Sequence, residues 1–233
     1  EDARRRFVSD ASHELKTPLA GIRLLTDSIL QTDNMDPETT KEFVTDIGRE
    51  AERLSRITEN LLRLTRLDGG VVQAAYPVAI EPVMRRVERM LGVVAGEKGV
   101  AISGSASEDA VALATEDDVH QILYNLMENA IKYSAAENGF VRAEASVQDG
   151  QVVITVTDNG IGIPDEDLPH IFDRFYRVDK MRSREVGGTG LGLSIVKDTI
   201  EGRGGAISAG HGPDGVGTTF TVRLPLAQRE EEA

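Results

Sequence analysis

The chain has no cysteine and no tryptophan, its aromatic residues make up 4% of 233 positions, and its four histidines are scattered. Without cysteine there are no disulfides, thiolate zinc sites or thiol nucleophiles, and no two histidines stand at the i, i+4 spacing of a helical metal pair. Positive charge is also scarce. Lys plus Arg number 26 against 39 Asp plus Glu, and the resulting net charge of -13 leaves no basic footprint for wrapping nucleic acid, which is not an expected partner. Hydrophobic runs are short: none approaches the roughly 18 residues of a membrane span, and no charged-then-apolar signal segment opens the chain. What remains, 40% hydrophobic and 28% charged with 23 Gly, suits one or two globular domains in water. Glu1 begins directly in a helical pattern with no starting signal ahead of it, so the chain is expected to be a piece of a longer protein.

The first third lacks strand-like runs and has little Gly or Pro, whereas short Val/Ile-rich runs alternate with helical patterns after about residue 70, placing a boundary near Asp68-Gly69-Gly70. Val8, Ala11, Leu15, Pro18, Ile22, Leu25 and Ile29 keep the 3,4 spacing of a coiled-coil seam. Residues 31–36 read as a loop, with Asp36 as N-cap and Pro37 at the first helical position. A second seam then runs Phe43, Ile47, Glu50, Leu54, Ile57, Leu61, Leu64. Residues 1–67 are thus an expected helical hairpin, too thin to hide both seams, so a dimeric four-helix bundle is expected; a monomeric hairpin capped by the second domain is the alternative.

Residues 68–227 are expected to form an α+β sandwich, a mixed sheet with helices on one face. The pattern predicts strands over 71–80, 100–105, 110–115, 140–147 and 151–158, helices over 81–96, 116–133 and 191–201, a short helix near 164–172, and a final hairpin over 206–226. Residues 228–233 form an acidic tail.

Three places hold residue types suited to chemistry. His13 falls opposite the first seam, with Glu14 beside it and Thr17 one turn on, so an imidazole, a carboxylate and a hydroxyl share one surface region. A neutral imidazole held by a carboxylate offers its other nitrogen as a nucleophile. Pro18 removes the helical hydrogen bond to the Glu14 carbonyl and is expected to bend the helix there. On the long helix, Asn125 and Asn129 project from one face with Lys132 and Tyr133 on the next turn, a polar site cut into Leu, Met and Ile; carboxamide oxygens can join phosphates around Mg²⁺. Asp158-Asn159-Gly160-Ile161-Gly162 at a strand end lets a carboxylate approach a ligand amino group, although alone it is mostly a turn signal. Gly187 to Leu193 leads into a helix and suits phosphate binding, but lacks the G-K-[ST] of a Walker loop and the position of a dinucleotide fingerprint. Lys180, Arg182 and Arg184 precede it, as in a lid over a polyphosphate.

Taken in order, these residues resemble the catalytic core of bacterial sensor histidine kinases of two-component systems. F-V-S-D-A-S-H-E-L-K-T-P-L (Phe7 to Leu19) is similar to the family's H box, Asn125 to Ser134 to its N box, and Asp158 to Pro164 to its first G box. Phe172 to Phe175 resembles the F box, Gly188 to Leu193 the second G box, and Gly217-Thr218-Thr219-Phe220 the last glycine motif. The resemblance implies a dimerisation and histidine-phosphotransfer domain followed by an ATP-binding domain of the type shared with gyrase, Hsp90 and MutL. It implies that His13 accepts the γ-phosphoryl group of ATP, that Glu14 is its general base, and that Thr17 orients water when the partner is dephosphorylated. It further implies that Asn129, with Asn125, holds Mg²⁺, that Lys132, Tyr133 and Arg177 contact phosphates, and that Asp158 reads the adenine amino group. Gly188, Gly190 and Gly192 would shape the lid hinge, and Gly160, Gly162, Tyr176, Leu191 and Thr219 complete the nucleotide-binding set. The implied partners are a second copy of the chain and the receiver domain of a response regulator; the implied location is the cytoplasmic part of a membrane-anchored bacterial protein whose sensor segment precedes Glu1. The rival class is a nucleotide-driven switch in which His13 is idle, disfavoured by the placement of His13, Glu14, Thr17 and Pro18 away from the seam.

Overall fold

The computed structural model describes residues 2–68, 73–135, 137–178 and 188–227. It divides into two compact units, one of Glu1–Asp68 with Arg174–Gly192, the other of Gly69–Asp173 with Leu193–Ala233.

The first unit is built on a helical hairpin, α1 (Asp2–Gln31) and α2 (Pro37–Asp68). The helix α1 continues through Pro18, which is buried. Asp36 caps α2 as its sequence predicts: its Oδ1 accepts the N–H groups of Glu38 at 3.0 Å and Thr39 at 2.9 Å, donors that the first helical turn leaves without a partner. Ala11, Pro18, Ile57 and Leu64 are buried along the inner line. Val8 is 57% exposed, because the inner line of α1 runs through the Ala11 and Pro18 positions and the positions of Val8, Leu15 and Ile22 are rotated toward its flank. Phe7 is half-buried, its ring 6.0 Å from that of Phe175.

The second unit contains two sheets. The strands β1 (Tyr76–Ala79) and β3 (Val111–Ala114) make an antiparallel pair. The main sheet has the order β2-β4-β5-β7-β6, formed by β2 (Ala101–Ala106), β4 (Phe140–Gln148), β5 (Gln151–Asp158), β6 (Ala206–His211) and β7 (Thr218–Pro225). Among the described residues only β2 and β4 pair in parallel. Three helices, α3 (Ile80–Glu97), α4 (Glu116–Tyr133) and α5 (Gly192–Gly202), supply the other side of the core. Val87, Leu91, Ile122, Leu126, Val196 and Ile200 are buried against Val141, Ile154, Val156, Val222 and Leu224, which alternate along their strands as a one-sided sheet requires. The expected α+β sandwich is therefore present.

The differences are local. The first strand is confined to Tyr76–Ala79, and Val71 and Val72 of its predicted span lie outside the described residues. The segment 164–172 is a run of turns, not a helix: Asp167 and Leu168 both donate to Pro164 O, then His170 and Ile171 both donate to Asp167 O, which breaks the ladder into separate turns. The long helix begins in a capping box, with Thr115 and Asp118 each bonding the other's backbone N–H at 3.2 Å.

Candidate functional site

In the first unit His13 is exposed on α1, and the Thr17 hydroxyl donates to the His13 carbonyl at 3.2 Å. Successive helical residues point about 100° apart, and Glu14 accordingly turns toward α2 with its side chain only 25% exposed. There it meets Arg53, whose Nη2 donates to Glu14 Oε2 at 3.4 Å. The three sequence-derived residues thus share one region, and Arg53, which sequence reasoning passed over, joins them. A charged residue beside the apolar seam of α2 was the signal that could have found it.

The segment Arg174–Gly192 belongs to this unit. Phe175 adopts φ 65° and donates its N–H to Gly190 O at 2.8 Å, while the Arg174 guanidinium lies 5.4 Å from the Phe7 ring centre. Gly190 itself has φ 69°, and a Cβ there would meet Phe175 Cα at 2.9 Å, so glycine is required on both counts. Thr189 Oγ1 accepts the Leu191 N–H at 3.3 Å and the Asn60 amide at 3.5 Å. Tyr176, Arg177, Gly188 and Gly192 are half-buried and Leu191 is fully buried. Gly187, Lys180, Arg182 and Arg184 lie outside the described residues.

In the second unit, Asn125, Asn129, Lys132 and Tyr133 occupy the C-terminal half of α4 and are all half-buried. The Asn125 amide donates to Gln121 O at 2.8 Å, and Lys132 Nζ lies 5.3 Å from the centre of the Tyr133 ring. The Ile161 N–H donates to Tyr133 O at 3.1 Å and so ties the end of α4 to the loop after β5. Asp158, the last residue of β5, is 4% exposed, and its Oδ1 accepts the N–H groups of Gly160 at 2.8 Å and Thr218 at 3.3 Å. Burial pushes its carboxyl above the ordinary carboxylate range, and these two bonds only partly offset that rise. A Cβ on Gly217 would come within 2.0 Å of the Asp158 backbone carbonyl oxygen, so the last glycine motif packs against the Asp158 main chain. Gly162 has φ 70°, and the hydroxyls of Thr157 and Thr219 meet at 3.1 Å. Asn159 was not singled out from sequence. Its Oδ1 accepts the Phe140 N–H at 2.8 Å and its amide donates to Asn138 O at 2.9 Å, so it braces the loop from behind.

These groups can accept a ligand amino proton at Asp158 and offer hard carboxamide oxygens at Asn125 and Asn129. Among the described residues no three His, Asp or Glu side chains gather as a metal site, so a cation here would rest on carboxamides, substrate phosphates and water, the ligation that Mg²⁺ favours.

Two family models match the chain. Residues 3–70 match the His Kinase A (phospho-acceptor) domain, and residues 114–228 match the histidine kinase-, DNA gyrase B-, and HSP90-like ATPase. The chain is 34% identical over 235 residues to the sensor histidine kinase WalK of Bacillus subtilis, covering 100% of this chain and 38% of WalK. It is 36% identical over 227 residues to the sensor-like histidine kinase SenX3 of Mycolicibacterium smegmatis, covering 97% and 58%. Full-length ShkA, solved in complex with AMPPNP, superposes with a TM-score of 0.69 at 31% identity, over 96% of this chain and 46% of ShkA. The chain spans about half the length of the curated relatives it matches. With an exposed histidine in a phospho-acceptor hairpin and a buried carboxylate held by the Gly160 and Thr218 backbone in the ATPase-like unit, the chain belongs to the sensor histidine kinases and comprises their catalytic core.

Proposed function

We propose that this chain binds ATP with Mg²⁺, transfers the γ-phosphoryl group to its own His13, and passes it to an aspartate on a response regulator. In this reading 1–67 is the dimerisation and phosphotransfer domain, 68–227 the ATP-binding domain, and 228–233 an acidic tail. The observation that carries it is His13, exposed on α1 while its neighbour Glu14 is turned inward and held by Arg53.

The chemistry divides among named groups. Asp158 Oδ2 receives the exocyclic amino group of adenine, since the backbone donors of Gly160 and Thr218 are both on Oδ1. Gly160, Gly162 and Thr219 shape that end of the site. Asn129, with Asn125, holds Mg²⁺, which supplies neutralising charge to the phosphates. Lys132, Tyr133 and Arg177 contact phosphate oxygens, with Tyr176, Gly188, Gly190, Leu191 and Gly192 forming the lid and its hinge. Phosphoryl transfer needs alignment and charge neutralisation more than covalent help. An imidazole nitrogen of His13 forms the N–P bond as the bond from phosphorus to the departing ADP oxygen breaks, and the imidazole proton passes to Glu14. Thr17 would orient water for hydrolysis of the phosphorylated regulator.

A second copy of the chain is the proposed partner of the hairpin. Val8, Leu19 and Leu30 are exposed, and at intervals of eleven residues, three helical turns, they share one face of α1; Val44 and Leu62 are exposed on one face of α2. No described helix is long and apolar enough to cross a membrane. We place the chain in the cytoplasmic part of a longer, membrane-anchored protein.

The test is incubation with γ-labelled ATP and Mg²⁺. Acid-labile, alkali-stable label is expected on the wild type. It should vanish in His13→Gln, which keeps nucleotide affinity, and in Asn129→Ala or Asp158→Ala, which lose it. Label retained in His13→Gln would overturn the assignment.

A further inference from the structure

Arg53 is 9% exposed, an unusual burial for a guanidinium on a two-helix hairpin. It lies between two carboxylates, Nη2 at 3.4 Å from Glu14 Oε2 on α1 and Nη1 at 3.8 Å from Glu50 Oε2 on its own helix. Both separations exceed the roughly 2.7–2.9 Å of a tight charge-assisted bond. One planar fork is thus shared between two acceptors and saturates neither. Two buried atoms beside it have no hydrogen-bond partner, Arg53 Nε and Glu50 Oε2. A buried cation in this state is a poor structural device, because apolar residues of similar volume stabilise as well or better. It is well placed to fix a carboxylate, since a guanidinium defines both the direction and the plane of its acceptor. The carboxylate it fixes across the hairpin is Glu14, the residue next to His13.

We propose that Arg53 is a positioning residue for phosphoryl transfer: it holds the Glu14 carboxylate in the orientation from which Glu14 takes the imidazole proton of His13, and Glu50 competes for the same guanidinium. Arg53 itself touches neither nucleotide nor phosphoryl group. The inference rests on the kinase reading above and adds a residue to it.

The experiment uses the whole chain and measures the initial rate of His13 labelling against ATP concentration, with nucleotide affinity, melting temperature and oligomeric state recorded for each variant. Removing the cation alone leaves Glu50 buried without its partner and endangers the hairpin, so Arg53→Met is made both alone and with Glu50→Gln. In the double variant, with melting temperature and oligomeric state unchanged, the maximal rate is expected to fall about tenfold at unaltered KM, a smaller loss than the roughly hundredfold that a misplacement of about 1 Å can cause. Glu50→Gln by itself should label at least as fast as wild type, because the fork is released to Glu14. In a Glu14→Gln background, the Arg53→Met and Glu50→Gln pair should change the residual rate by less than about twofold, since no carboxylate remains to be positioned. A double variant that labels at the wild-type rate overturns the proposal, as does an equal tenfold loss in the Glu14→Gln background, which would make Arg53 structural. Wild-type chain that takes no label, or label that survives His13→Gln, overturns the kinase reading and this inference with it.

Discussion

A Cβ placed on Gly160 would stand 2.0 Å from the carbonyl oxygen of Tyr133. That oxygen is held by the Ile161 N–H at 3.1 Å, and because both partners are backbone neither can swing aside. The loop after β5 and the end of α4 therefore approach as closely as peptide groups can. Gly160→Ala is expected to force them apart and lower nucleotide affinity by about tenfold or more, the equivalent of a modest overpacking cost. Titration of a fluorescent ATP analogue measures it, and wild-type affinity would mean that this juncture does not shape the nucleotide site.

Asp158→Asn separates stability from binding. The wild-type carboxyl is raised by burial, so its folded state binds a proton more readily than its unfolded state. Its ionisation therefore opposes folding as pH rises through the folded value, and the opposition disappears below the ordinary carboxylate range. An asparagine oxygen can still accept the Gly160 and Thr218 bonds without carrying charge. The variant is expected to melt higher than wild type at pH 7, by a margin that shrinks as pH falls toward the carboxylate range, while losing ATP affinity. Thermal melts across pH 4 to 8 with a binding titration check both halves; a lower melting temperature at pH 7 would contradict the first.

Arg203 should matter to the second unit far more than a surface arginine. Its side chain is 9% exposed, its Nη2 and Nε reach Asp118 Oδ2 at 2.7 and 2.8 Å, and its Nη1 donates to Gln73 O at 2.7 Å. Arg203→Met takes the countercharge from the Asp118 carboxylate at the start of α4, which keeps its bonds to the Thr115 N–H and hydroxyl, and is expected to cost about 2 kcal/mol. Denaturant unfolding provides the number, and a loss under about 1 kcal/mol would place this pair with ordinary surface bridges.

Gly190→Ala meets both a left-handed backbone and Phe175. The substitution is expected to loosen residues 174–178 from Phe7 without unfolding the second unit. Limited trypsin digestion should cut between Arg174 and Gly192 faster than in wild type, with the melting temperature of the second unit little changed. Equal cleavage rates would show that the Phe175–Gly190 bond does not hold this segment.

Local patterns carried much of this protein in plain view. The Asp36-Pro37 start, the 3,4 spacing of the seams and the 116–133 periodicity specify their helices through nearest-neighbour physics, which is why α2 and α4 begin where the residues suggest. The 164–172 segment was misjudged because its Pro164 and Asp167 carbonyls each take two donors, a turn geometry that composition does not distinguish from a helical ladder.

By itself the sequence determined the order of elements, the glycines needed for positive φ and close approach, and the set of polar residues suited to phosphoryl chemistry, because each follows from local sterics or from side-chain type. Only the tertiary structure decided that Arg53 crosses the hairpin to Glu14, that Asn159 braces the loop, that Arg203 closes on Asp118, and that Asp158 is buried enough for its carboxyl to shift. Those facts depend on side chains far apart in the chain excluding water together, and no local pattern encodes which distant partner will share a buried charge.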